Sequence, residues 1–149
     1  MRPRPAVLVA LGVLACGGPG GGRQTPAPQS PQQALDQFMA AVKAKDLDRM
    51  GDLWGSERGS AVGWMKPDDL KKRLTVFQIY LNHVGYRVLE GPTAVTGQDR
   101  MQQFRVELQR PNSCTVVFPI QMVHARSGAW LVNAVDLASL PNPADACKR

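Results

Sequence analysis

In Leu70-Lys71-Lys72-Arg73-Leu74-Thr75-Val76-Phe77-Gln78-Ile79-Tyr80-Leu81-Asn82-His83-Val84-Gly85-Tyr86-Arg87-Val88 the apolar period changes part-way along. Leu70, Leu74, Phe77 and Leu81 fall on one helical stripe, which Val76 and Tyr80 widen. Pro67 suits the first helical position, and Asp68 and Asp69 lie where the helix dipole favours negative charge. Beyond His83 the period falls to two. Val84, Tyr86 and Val88 alternate with Gly85 and Arg87, the pattern of a strand with one buried face.

Upstream of the switch the pattern stays helical. Ser30-Pro31-Gln32-Gln33 reads as a capping box, and Leu35, Phe38, Met39 and Val42 share the next helical face. Lys43 and Lys45 suit the end of that helix. Asp46 can cap a second, short helix with Leu47, Met50, Leu53 and Trp54 inward, ended by Gly55. A glycine-rich connection from Gly55 to Lys66 carries Trp64 and Met65.

Downstream the pattern alternates. Gly91-Pro92 is expected to break the first strand, and Gly97 and Asp99 mark a turn. Phe104, Val106 and Leu108 alternate with Arg105, Glu107 and Gln109. After the Pro111-Asn112-Ser113 turn, Thr115 to Ala125 reads as a long strand, apolar on both faces, with a bend at Pro119. Arg126-Ser127-Gly128 makes a tight hairpin into a last strand from Ala129 to Leu137. Helices followed by strands define the α+β class: three N-terminal helices on a curved, mostly antiparallel sheet of about four strands. The expected domain covers residues 30–140, with an irregular tail over 141–149.

The chain has 149 residues and a formal charge of +6. It opens Met1-Arg2-Pro3-Arg4, runs apolar from Ala6 to Ala15 and reaches Cys16, the layout of a secretory signal. Val13-Leu14-Ala15-Cys16 resembles a bacterial lipobox. That resemblance implies a signal peptide over 1–15 and cleavage before Cys16, with lipid on its thiol and a Gly/Pro tether over 16–29. The apolar run is far shorter than the ~20 residues of a membrane span, so anchorage would come through covalent lipid. The expected location is exported and bound to a bacterial membrane. In a diderm host this would be the periplasm-facing outer membrane, because Gly17 stands where an inner-membrane retention aspartate would be.

Losing Arg2 and Arg4 leaves 16 basic against 12 acidic side chains. For an exported protein such a balance does not point to nucleic acid, and anionic lipid head groups are the nearer counter-charge. Lys71-Lys72-Arg73 reads as a solvated helix face beside Asp68 and Asp69, or as a lipid-docking element. With Cys16 lipidated, Cys114 and Cys147 remain. The final hairpin would carry the tail back towards Cys114, so a disulfide is expected, with two free thiols as the alternative.

The pieces Gln33-Ala34-Leu35-Asp36-Gln37-Phe38-Met39-Ala40-Ala41-Val42, Lys45-Asp46-Leu47-Asp48 and Gly128-Ala129-Trp130-Leu131-Val132 resemble the nuclear transport factor 2-like superfamily. The resemblance implies a cone of curved sheet closed by three helices over residues 30–140. Enzymes of that superfamily place an Asp, or an Asp and a His, inside the cone. This chain offers His83, His124, Asp36, Asp99 and Asp136, and spacing pairs no histidine with a carboxylate. No catalytic residue, metal site or cofactor is therefore expected. Trp64, Phe77, Tyr80, Phe104, His124 and Trp130 are the candidates for lining an apolar pocket, or else belong to the core. Three functions remain open. The first is a lipid-anchored ligand-binding or assembly module whose partner is a small apolar ligand, an envelope protein or a second copy in a homodimer. The others are a small isomerase-, dehydratase- or hydrolase-type enzyme, and a purely structural module. The interior of the cone decides among them.

Overall fold

The computed structural model describes residues 25–147. Cys16, the leader and most of the tether lie outside the described residues. Helices α1 (Pro31–Ala44), α2 (Leu47–Leu53) and α3 (Pro67–Leu81) precede a four-stranded antiparallel meander. Two-residue strands β1 (Gly55–Ser56) and β2 (Gly59–Ser60) form a small hairpin before α3. The meander runs β3 (Gly85–Val95), β4 (Gln98–Gln109), β5 (Thr115–His124) and β6 (Trp130–Val135), in that order across the sheet. The α+β class and the switch near His83 are as expected.

The helix caps follow from the residues that make them. The Ser30 hydroxyl accepts from the Gln33 amide at 3.2 Å, and Pro31 fills the first helical position. Gln33 Oε1 reaches back to the Gln29 amide at 2.9 Å, one residue beyond the expected capping box. The Asp46 carboxylate accepts from the Arg49 amide at 2.9 Å and starts α2.

One cluster fills the space between helices and sheet. Leu35, Phe38, Met39 and Val42 of α1 join Leu74, Phe77 and Leu81 of α3 and the inward residues Phe104, Val106, Phe118, Ile120 and Met122. Phe38, Phe104, Phe118, Ile120 and Met122 are essentially closed to solvent. The β6 edge is covered as well. Trp54 bridges to Val132, the Trp54 indole N–H donates to the Asn133 carbonyl at 3.1 Å, and Asn133 Nδ2 donates to Gly55 O at 2.8 Å.

Several expectations are corrected. Val76 does not widen the buried stripe of α3; it is exposed. Gly91-Pro92 does not end the first strand. β3 continues to Val95 with register shifts around this cis peptide. Gly91 has φ +108°, and a Cβ there would lie 2.6 Å from the Gln103 carbonyl oxygen, so glycine is what lets the irregular strand keep its place beside β4. The 55–66 connection is built rather than loose, as a hairpin followed by the 3₁₀ turn Ala61–Gly63. The last strand stops at Val135, where the Asp136 carboxylate caps the 3₁₀ turn Leu137–Ser139.

Both ends of the domain are held more firmly than the composition suggests. Residues assigned to the tether pack onto the fold: the Pro28 carbonyl accepts from the Trp130 amide at 2.9 Å, and Pro26 O accepts from Gln37 Nε2 at 3.4 Å. At the other end, Leu140 is buried with the core, and in the tail Cys147 is disulfide-bonded to Cys114 across a Cα separation of 5.4 Å. The bridge closes a separation of 33 residues, for which loop entropy gives about 3.7 kcal/mol. Cys147→Ser should therefore lower the urea midpoint by an amount equivalent to about 3.7 kcal/mol under oxidising conditions. The same midpoint with and without reductant in the wild type would contradict it.

Candidate functional site

The sequence candidates fall in separate places. Phe104 is wholly buried in the core. Phe77 packs edge-on to Trp54, with ring centroids 5.6 Å apart. Tyr80 is half-buried, and its backbone carbonyl accepts from Arg110 Nη2 at 3.1 Å. His124 and Trp130 stack on each other at the β5–β6 turn, 4.7 Å apart, and His124 Nε2 donates to the Gly128 carbonyl at 3.2 Å. Trp64 lies on the outside, 37% exposed. These six residues do not line one cavity.

The proton-transfer candidates are also dispersed. Asp136 caps the last turn, and Asp99 sits exposed near the start of β4. Asp36 accepts a hydrogen bond from the Tyr86 hydroxyl at 2.5 Å, tying α1 to β3. Burial raises the Tyr86 pKa well above the usual phenol range, and the bond to Asp36 adds to the shift. His83 lies edge-on to Tyr86, with centroids 5.6 Å apart. It is buried, and Nδ1 donates to the Leu81 carbonyl at 2.8 Å. Among the described residues, no hydrogen bond joins a histidine to a carboxylate, and no cluster of three metal-ligating side chains occurs.

His83 gives the domain a pH dependence of definite sign. Burial pushes its pKa below 6.5; the Leu81 carbonyl opposes this and the Lys43 charge reinforces it. The unfolded chain then binds the proton more readily than the folded one. This contribution is fully present above pH ~6.5 and declines as pH falls below it, towards the depressed folded pKa. His83→Gln should flatten the urea midpoint between about pH 7.5 and 5.5 relative to wild type. Parallel pH profiles would contradict the assignment.

Several open features lie outside the core. A groove of about 730 Å³ separates α2 from α3, with Leu47, Val62, Met65 and Leu70 along it and Asp48 and Asp52 beside it. Another is a basic aromatic face. The Arg58 guanidinium lies 4.8 Å from the Trp64 ring centroid, and that of Arg73 lies 5.5 Å from the Trp54 ring. The two indoles are 6.3 Å apart. A shallow groove of about 650 Å³ continues this face past Met65, Lys72, Val76 and Leu137. The sequence singles out Trp64 by its place in the glycine-rich connection but does not join it to Arg58 or Arg73, because the hairpin that turns Arg58 back reads as a connection.

The outer face of the sheet carries paired polar side chains beside the exposed Val117. Arg87 pairs with Glu107 at 2.6 Å and Arg105 with Glu90 at 3.1 Å, and Gln121 donates to Gln103 at 3.2 Å.

No family model matches the chain, and no curated protein matches it. Among solved structures, a Campylobacter jejuni chain described as an NTF2-like transpeptidase is 13% identical with a TM-score of 0.48, over 70% of this chain and 99% of that one. A Xanthomonas campestris chain described as a calcium/calmodulin dependent protein kinase II association domain is 17% identical with a TM-score of 0.35, over 66% of this chain and 78% of that one. At these values neither likeness carries an argument about what this chain does.

Proposed function

We propose that this chain is a lipid-anchored cell-envelope protein whose domain acts by binding or assembly, not by catalysis. The observation that carries the non-catalytic part is the filled interior. Phe38, Phe104, Phe118, Ile120 and Met122 occupy the space that a substrate would need. The polar residues nearest that layer are committed to structure, with Tyr86 bonded to Asp36 and His83 to Leu81 O. Binding would then take place on the outside, where the Trp64 face and the α2–α3 groove are open.

The anchor rests on Val13-Leu14-Ala15-Cys16 behind its basic, apolar leader. No described helix is long and apolar enough to cross a membrane. Intact-mass and peptide mass spectrometry of the protein from a membrane fraction tests the anchor. The mature chain should begin at Cys16 and carry acyl groups. An unmodified Cys16 thiol, or a mature start elsewhere, would overturn it.

A further inference from the structure

We infer that the face formed by the β1–β2 turn, Trp64 and the outer ridge of α3 docks onto an anionic lipid bilayer; the inference rests on the lipid anchor proposed above. Four observations meet on this face. First, its cations are uncommitted: among the described residues, neither Arg58 nor Arg73 has a carboxylate within salt-bridge distance. Each guanidinium instead lies over an indole, leaving its charge available to an anion. Along the groove of this face Lys72 and Arg73 stand with a single acid, Asp69.

Second, apolar groups are interleaved with these charges. Val76 and Ile79, one helical turn apart on α3, are 43% and 50% exposed, and Trp64 is 37% exposed. The Trp64 indole N–H donates to the Gly59 carbonyl at 3.1 Å, so the ring can enter the head-group layer without leaving a donor unpaired. Third, the exposed apolar residues of α3 stand on a convex helix ridge beside only a shallow groove, which suits a flat surface better than an inserted ligand.

Fourth, the tether emerges beside the hairpin. Thr25, Ala27 and Pro28 line a cavity with Ser60 of β2, with Asp46 and Asp52 and with the β5–β6 turn, so the chain leaves the domain at the edge of the hairpin that carries Arg58. The nine residues from Cys16 to Thr25 reach at most about 30 Å. A lipid on Cys16 would keep Thr25 within that distance of the bilayer and the adjoining hairpin close to it, where cations gain from anionic head groups.

The test uses the full lipidated chain reconstituted in vesicles of phosphatidylcholine alone, or with about one third phosphatidylglycerol, each with and without brominated acyl chains. Flotation reports the anchor, and quenching of tryptophan fluorescence reports docking. Quenching is expected in the anionic vesicles only. It should be lost in Trp64→Phe and in 1 M salt, where the Debye length falls to about 3 Å. Arg58→Glu with Arg73→Glu should raise the anionic lipid fraction needed for half-maximal quenching several-fold. Val76→Ser with Ile79→Ser, at exposed positions that keep the core intact, should do likewise. A chain that floats with both vesicles yet shows equal quenching in them, or none, overturns docking and leaves the anchor standing. A chain found without lipid that still floats with anionic vesicles overturns the anchor and supports docking. A chain without lipid that floats with neither overturns both. Loss of co-purification with an acidic envelope protein in Arg58→Glu/Arg73→Glu, without any lipid dependence of quenching, would replace the bilayer by a protein partner.

Discussion

Phe118→Ala should lower the free energy of unfolding by about 3–5 kcal/mol. Phe118 points inward from β5, is 1% exposed, and belongs to the cluster that joins α1, α3 and the sheet. Truncation removes the transfer energy of the ring and leaves a void that three packed elements cannot collapse into. Urea unfolding, with the slope unchanged, measures the loss. A change under about 1 kcal/mol would mean that the space around Phe118 is loose or hydrated, and the closed interior would be wrong.

Arg110→Ala should cost about 3–4 kcal/mol. Arg110 follows β4 and is only 3% exposed. Its Nη1 donates to the Pro141 carbonyl at 2.8 Å and its Nη2 to the Tyr80 carbonyl at 3.1 Å. The second bond places the cation at the C-terminal end of α3, where carbonyls lack helical partners and the dipole is negative. Burial lowers the Arg110 pKa from its usual value, which shows the cost of placing the charge there. Two charge-assisted bonds offset that cost, and truncation leaves two carbonyls unpaired and frees the tail from α3. Arg110→Met separates the contributions, since it keeps the aliphatic stem and removes both donors. It should recover part of the loss, not all of it. Full recovery in Arg110→Met would reduce the role of Arg110 to packing.

The parts of the fold visible in the sequence are those governed by one local rule. Ser30, Pro31 and Asp46 announce helix starts because capping uses neighbouring residues. Leu70, Leu74, Phe77 and Leu81 announce the buried face of α3, and Phe104, Val106 and Leu108 that of β4. The Cys114–Cys147 bridge was within reach because it needed only the direction of the last hairpin. Features that depend on long-range meetings were not legible. Arg110 reads as a surface residue in a turn until Tyr80 and Pro141 are brought to it. Tyr86 and Asp36 lie 50 residues apart, and nothing local to either predicts their bond. The Trp64 face is hidden for the same reason, since Arg58 and Arg73 reach the indoles only after the hairpin and α3 have packed.

Whether the interior is closed can be measured directly by equilibrating the protein with xenon and following its methyl NMR resonances. Xenon enters apolar cavities of suitable size, including those made by truncating a core side chain. The methyl signals of Leu35, Leu74, Ile120 and Met122, which belong to the Phe118 cluster, should stay unshifted in the wild type. They should shift in Phe118→Ala. Saturable xenon shifts at those methyl groups in the wild type would reveal an internal cavity and contradict a domain that works from its outer surface.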